Sequence, residues 1–132
     1  MKVILDCNIW ISFLIGHHAG LMKRILTDSR FDVIICSELI EELRDVCSRP
    51  KIREHVTDSE LDDFWRIIYS FCDLVEIKYK ADCFIRDPKD LYLLSLADNT
   101  EADYIVSGDA DLLDVKQYKQ TKMLTLAEFK DL

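Results

Sequence analysis

Short apolar runs alternate along the chain with stretches whose apolar residues recur every three or four positions. Residues 3–5 form a run closed by Asp6 and predict a buried strand. "FDVIIC" (31–36), "DLVEI" (73–77), "DYIVS" (103–107) and residues 122–124 predict further strands. "IWISFLI" begins a helix near Asn8, and residues 20–29 are a second helical piece. Ser37 is placed to cap "ELIEELRDVCSR", which stays helical up to Pro50. Thr57 followed by Glu60 makes a capping box for a helix reaching about Phe71. Asp87 before Pro88 marks another start, with proline at the first helical position, and that helix runs to about Asn99. Thr125 with Glu128 caps a short last helix. Strands alternating with helices predict a three-layer α/β/α domain over residues 1–132, built on a parallel sheet of four to five strands.

In such sheets the ligand crevice lies beyond the carboxyl ends of the strands. Asp6 and Asp109 each follow a predicted strand there. Taken alone, Asp6 is also a turn or cap residue, and one of Asp109 and Asp111 is a cap for a following helix. In the helix from Ser37, the apolar residues Leu39, Ile40, Leu43, Val46 and Cys47 span roughly 120° at about 100° per residue. Glu42 lies about 40° outside that arc, while Glu38, Glu41 and Asp45 point farther toward solvent. The helix from Pro88 has a buried stripe of Leu91, Leu94 and Ala97, with Leu93 near its edge, and Asp90 falls inside it. A lone carboxylate there is costly unless it is paired or metal-bound; the plainer reading is a first-turn acid favoured by the helix dipole. Asp87 reads first as an N-cap.

Four separate elements thus bring Asp6, Glu42, Asp90 and Asp109 to one sheet edge. Gathered carboxylates repel unless a cation sits among them, and oxygen ligands without histidine or cysteine suit Mg²⁺ or Mn²⁺. Such ions activate water and stabilise charge in phosphodiester cleavage.

The net charge of −8, from 17 Lys and Arg against 25 Asp and Glu, argues against broad attraction to nucleic acid. It leaves open an enzyme whose acids surround metal ions. Lys23, Arg24, Arg49, Lys51 and Arg53 are the best candidates for a nucleic-acid contact, since "SRPKIR" clusters three charges after the Glu42 helix; a solvated helix end is the plainer reading of that cluster. The five cysteines include no CxxC pair and read as small buried thiols in a reducing, cytoplasmic compartment. His17, His18 and His55 lack ligand spacing and read as loop or surface residues. No apolar run is long enough for a membrane span.

"ILDCNIW", "SELIEELRDVCSRPKI", "DPKDLYLLSLA" and "ADYIVSGDADLL" together resemble, in order, the four acidic motifs of PIN domains. The closest likeness is to bacterial toxin components of toxin–antitoxin systems related to VapC. The resemblance implies a parallel α/β fold and a metal-dependent endoribonuclease that leaves 5′ phosphates. It implies Asp6, Glu42, Asp90 and Asp109 as the acidic quartet, Asp111 as a further metal ligand, and Asn8, Ser107 and Asp87 as supports. Lys89 and Leu91 interrupt the acids of "DPKD", so Asp87 and Asp90 both stand as the third acid. Implied partners are an RNA substrate, a cognate antitoxin protein and further copies of the chain. Two other readings are a PIN-like module that only binds partners and a phosphate-transfer domain. Against the phosphatase form of the latter, the first motif is Asp6-Cys7-Asn8 rather than DxD; against the receiver form, its lysine has no clear match, although Lys116 and Lys119 are nearby.

Overall fold

The computed structural model of the chain describes residues 1–82, 85, 87 and 90–132. Six strands form one sheet: β1 (Lys2–Leu5), β2 (Asp32–Ile35), β3 (Asp73–Leu74), β4 (Tyr104–Val106), β5 (Gln117–Tyr118) and β6 (Thr121–Leu124). Their order is β3-β2-β1-β4-β6-β5, parallel throughout except for the β5–β6 hairpin. Eight helices accompany them among the described residues: α1 (Cys7–Ile15), α2 (Ala19–Leu26), α3 (Ser37–Ser48), α4 (Pro50–Arg53), α5 (Asp58–Phe71), α6 (Leu91–Thr100), α7 (Ala110–Val115) and α8 (Leu126–Lys130).

The predicted α/β architecture with a central, mainly parallel sheet is therefore present. Five of its strands are parallel, within the four to five expected, and a sixth is added antiparallel at the edge. The addition is β5, too short at two residues to show any period; it is joined to β6 by a turn in which Lys119 has a φ of 53°. The strand expected over 73–77 pairs only at Asp73 and Leu74, followed by a bond from the Val75 amide to the Ile35 carbonyl. Beyond it β2 has already ended at Ile35, and the Lys78 amide bonds the Asn99 side chain of α6.

Strand β1 explains why the sheet needs cover on both faces. Val3, Ile4 and Leu5 are all buried, so side chains on either side of the strand require apolar neighbours. Helices α1, α2, α3 and α5 pack on one another, and α6 lies against β1 and β4. The indole of Trp10 on α1 meets Phe13 and Phe64 edge-on, each at a centroid distance of 6.4 Å, tying α1 to α5. In α6 the expected stripe is broader: Leu93, Leu94, Leu96 and Ala97 are buried, whereas Leu91 is half-buried.

Both predicted capping boxes form, at Thr57–Glu60 and Thr125–Glu128. Ser37 does not cap α3. It is the first helical residue, Cys36 holds the cap position, and the Ser37 hydroxyl donates to Glu38 Oε1. Pro50 ends α3 as expected but opens α4, because its fixed φ suits a first helical turn. The predicted helix start at Pro88 lies outside the described residues.

These two serine/threonine sites separate a true cap from an apparent one. Thr57→Ala should cost about 0.5–2 kcal/mol in urea unfolding. Ser37→Ala should stay within about 0.5 kcal/mol of the parent.

Candidate active site

The sheet reverses its winding at β1. From there the chain builds β2 and β3 on one side and then crosses to β4 on the other. Such a switch point leaves a crevice beyond the strand ends. Its register is set by Leu5 pairing Val106, continued by the Asp6 amide donating to the Val106 carbonyl at 2.9 Å. The residues that follow, Asp6 and Ser107, are therefore placed side by side.

Asp6 is 5% exposed. Its backbone carbonyl starts α1 by accepting from the Ile9 and Trp10 amides, but its side chain makes no cap bond to that helix. The carboxylate instead accepts from the Ser107 hydroxyl, Oγ to Oδ2 at 2.7 Å. Burial pushes its pKa up; the bonds from Ser107 and the Cys7 amide oppose the rise, and the charges of Glu42 and Asp109 add to it. Ser107 is wholly buried and works in both directions, since its Oγ also accepts from the Asp109 amide at 2.9 Å.

Asp109 answers to both of its readings. It is the N-cap of α7, with Oδ1 accepting from the Asp111 amide at 2.9 Å, and its carboxyl also adjoins Asp90. Asp111 is half-buried in the first turn of α7.

Asp90 immediately precedes α6, is 6% exposed, and has an Oδ2 with no hydrogen-bond partner among the described residues. Its pKa is pushed up to about 7. Burial is the main cause, followed by hydrogen bonding and charge from Asp109, then the charges of Asp6 and Asp87. Asp87 is half-buried at a bend, and its backbone carbonyl accepts from the Asp90 amide at 3.0 Å.

Glu42, half-buried on α3, approaches from the other side. Its Oε2 accepts from the Tyr92 hydroxyl at 2.7 Å. The Cys7 thiol lies beside it, and burial, then the charges of Glu42 and Asp6, push that thiol's pKa far up. Burial and the Glu42 bond do the same to Tyr92. Both groups thus stay protonated and can donate to the acids.

The structure brings Asp6, Ser107, Asp90 and Asp109 together, with Glu42 near Asp6. Asn8 is exposed in the first turn of α1. Arg49, Lys51 and Arg53 are exposed beyond the far end of α3, about 10 Å along the helix from Glu42 at 1.5 Å per residue. Arg49 pairs with Asp45 at 3.0 Å, and Arg53 pairs with Asp58. Tyr92 was not among the residues predicted from sequence. Its contact spans 50 positions and carries no local signal. Among the described residues, no three acids, histidines or cysteines stand at the spacing of a ready-made metal-ligand set. Cys7, Cys36, Cys47 and Cys72 are free thiols, and all three histidines are exposed.

Comparison with known proteins bears on the family and the fold. A family model described as "PIN domain" matches residues 2–111. Among solved structures, VapBC2 from Rickettsia felis, bound to a DNA fragment from its promoter, is 18% identical, with 95% of this chain and 98% of that chain covered and a TM-score of 0.63. A domain of a functionally unknown protein from Methanocaldococcus jannaschii is 16% identical, covering 95% and 90%, with a TM-score of 0.58. The PIN domain of human SMG5 is 18% identical, covering 99% and 97%, with a TM-score of 0.50. At these identities the likeness is one of fold. No curated protein matches the chain.

The crowding of acids has a consequence for stability in the absence of metal. Folded Asp90 keeps its proton to about pH 7, whereas an unfolded aspartate loses it near pH 4. Between those values the folded state binds more protons, so the contribution of Asp90 is present in full below about pH 4 and is lost as pH rises through about 7. Chemical denaturation in EDTA across this range should show stability falling with pH. Asp90→Asn should flatten the decline; an unchanged slope would mean that Asp90 titrates normally.

Proposed function

The chain belongs to the PIN domain family, and from that premise we propose that it is a metal-dependent endoribonuclease acting on single-stranded RNA. The observation that carries this reading is Asp90, a buried carboxyl with an oxygen that has no donor among the described residues, set against Asp109 and near Asp6. Three acids raised or crowded in this way form a poor structural motif and a good cation seat. The donor set is entirely carboxylate, which fits Mg²⁺ or Mn²⁺. Asp6, Glu42, Asp90, Asp109 and Asp111 would hold the ion or ions, supported by Asn8, Ser107 and Asp87. When bound, the metal supplies Lewis-acid activation of water and neutralises charge on the phosphoryl group.

The chain's own residues have distinct tasks in this scheme. Ser107 fixes the Asp6 carboxylate by donating to it and, through the Asp109 amide, holds the β4–α7 turn against it. Tyr92 fixes one oxygen of Glu42 and leaves the other for the site. Asp90 or Asp109 orients the attacking water and accepts its proton. The leaving group is the 3′ oxygen, so the downstream product carries a 5′ phosphate. Arg49, Lys51 and Arg53 would contact RNA at a distance from the acids, with Arg49 and Arg53 exchanging carboxylate partners for phosphates. The proposal includes a toxin role in the cytoplasm, a protein antitoxin and a homo-oligomeric assembly; what stands behind it is the fold shared with the VapBC2 structure. No described helix is long and apolar enough to cross a membrane.

Two assays bear on the proposal. Cleavage of single-stranded RNA should require Mg²⁺ or Mn²⁺, stop with EDTA, and fall by about 10²-fold or more in Asp109→Asn. Metal-independent cleavage, or full activity in that variant, would contradict the assignment. Replacing Arg49, Lys51 and Arg53 together by glutamine should lower the salt slope of RNA binding by about 2, at roughly 0.7 for each lost phosphate contact. An unchanged slope would remove the cluster from the RNA path.

A further inference from the structure

A cleft of about 430 Å³ opens between α3, α6 and the segment that follows β3. Its lining includes Glu38, Lys78, Tyr79, Lys80, Leu91 and Tyr92. Tyr92 is shared with the acid site, because its hydroxyl is bonded to Glu42. The cleft and the acid site thus border on the same side chain.

The wall carrying the lysines is firmly built. The Lys78 amide donates to Asn99 Oδ1 at 2.9 Å, and Asn99 Nδ2 donates to the Tyr79 carbonyl at 2.8 Å. The Ala81 amide donates to Ser95 Oγ at 2.9 Å, and the Tyr79 hydroxyl donates to the Asp98 carbonyl at 3.2 Å. This clamp onto α6 holds Tyr79 with its side chain half outside the protein, 53% exposed. Lys78 and Lys80 are exposed, and neither side chain has an ion-pair partner among the described residues.

We propose that this cleft seats a nucleotide flanking the cleaved phosphodiester of single-stranded RNA, an inference that rests on the ribonuclease reading above. Lys78 and Lys80 hold backbone phosphates, and the Tyr79 ring offers a face for one base to stack on. Cationic side chains beside an exposed aromatic ring are the usual means of holding a single strand without reading its sequence. Glu38, whose Oε1 accepts from Ser37, repels phosphate. It therefore confines the backbone to the lysine wall and is left to accept from sugar hydroxyls or base amino groups. A protein strand is a poorer occupant, because strand addition needs open backbone groups and the Lys78 amide and Tyr79 carbonyl are already engaged by Asn99.

The test uses the whole chain and a short fluorescein-labelled single-stranded RNA, with binding measured by anisotropy in EDTA and cleavage measured with Mn²⁺. Lys78→Gln with Lys80→Gln should weaken binding by about tenfold and lower the salt slope by about 1.4, at roughly 0.7 for each phosphate contact. In cleavage, KM should rise while kcat stays near the parent's. Tyr79→Leu should lose about tenfold in affinity, the scale of one lost base stack, and Tyr79→Phe should restore it. A double lysine variant equal to the parent in affinity and slope overturns the proposal, as does loss of a co-purifying protein with RNA affinity unchanged. A parent that cleaves RNA beside such an unaffected variant leaves the nuclease reading standing and removes the cleft alone. A parent that binds RNA through these lysines but cleaves none removes the nuclease reading and keeps the cleft. A parent that binds no RNA overturns both.

Discussion

A carboxylate shut away from water must be met by donors, and the structure at the sheet edge depends on how Asp6 is met. Its neighbours come from positions far apart in the chain. Ser107 lies 101 residues away, and the bond between them exists only because β1 and β4 pair with Leu5 opposite Val106. A one-residue slip of β4 would turn Ser107 to the other face of the sheet and leave Asp6 buried without that donor. The same serine accepts from the Asp109 amide, so the register that satisfies Asp6 also sets the start of α7. Sheet pairing, the two turns and the positions of Asp6 and Asp109 are thus one linked arrangement.

Satisfaction stops partway, and that is where chemistry enters. Asp6 has donors, Glu42 has Tyr92, and Asp109 has the Asp111 amide. Asp90 has an oxygen with none among the described residues. A fold selected only for stability has no reason to bury a carboxyl against two others, when an asparagine or a leucine would pack there without repulsion. The residual frustration is of the kind that functional sites retain.

Much of this was readable from short-range pattern. The capping boxes at Thr57 and Thr125 formed because both partners of each box lie within one helical turn. Asp6 and Asp109 were placed by the strands before them, and the apolar stripe of α6 identified Asp90 as an acid on a buried face. Other features depend on tertiary neighbours. Ser37 has the right chemistry for a cap, yet the helix begins one residue earlier than that role requires. Strand β3 is cut short because its partner β2 ends at Ile35, where the chain turns into α3, and the Lys78 amide farther on goes to Asn99 of α6. The Tyr92–Glu42 and Ser107–Asp6 bonds bridge 50 and 101 positions, and only the assembled sheet and helices bring their ends together.

The central claim is that Asp6 belongs to a cation site rather than to the capping of α1. Thermal melts of the parent and Asp6→Asn, each with EDTA and with Mn²⁺, test it directly. The account predicts that Mn²⁺ raises the parent's Tm, since an ion that binds only the folded chain stabilises it by mass action. It predicts little or no rise in Asp6→Asn, and a metal-free variant at least as stable as the metal-free parent, because one repelling charge has gone. An equal Mn²⁺ response in both proteins, with the variant destabilised by about 0.5–2 kcal/mol as for a lost cap, would contradict it.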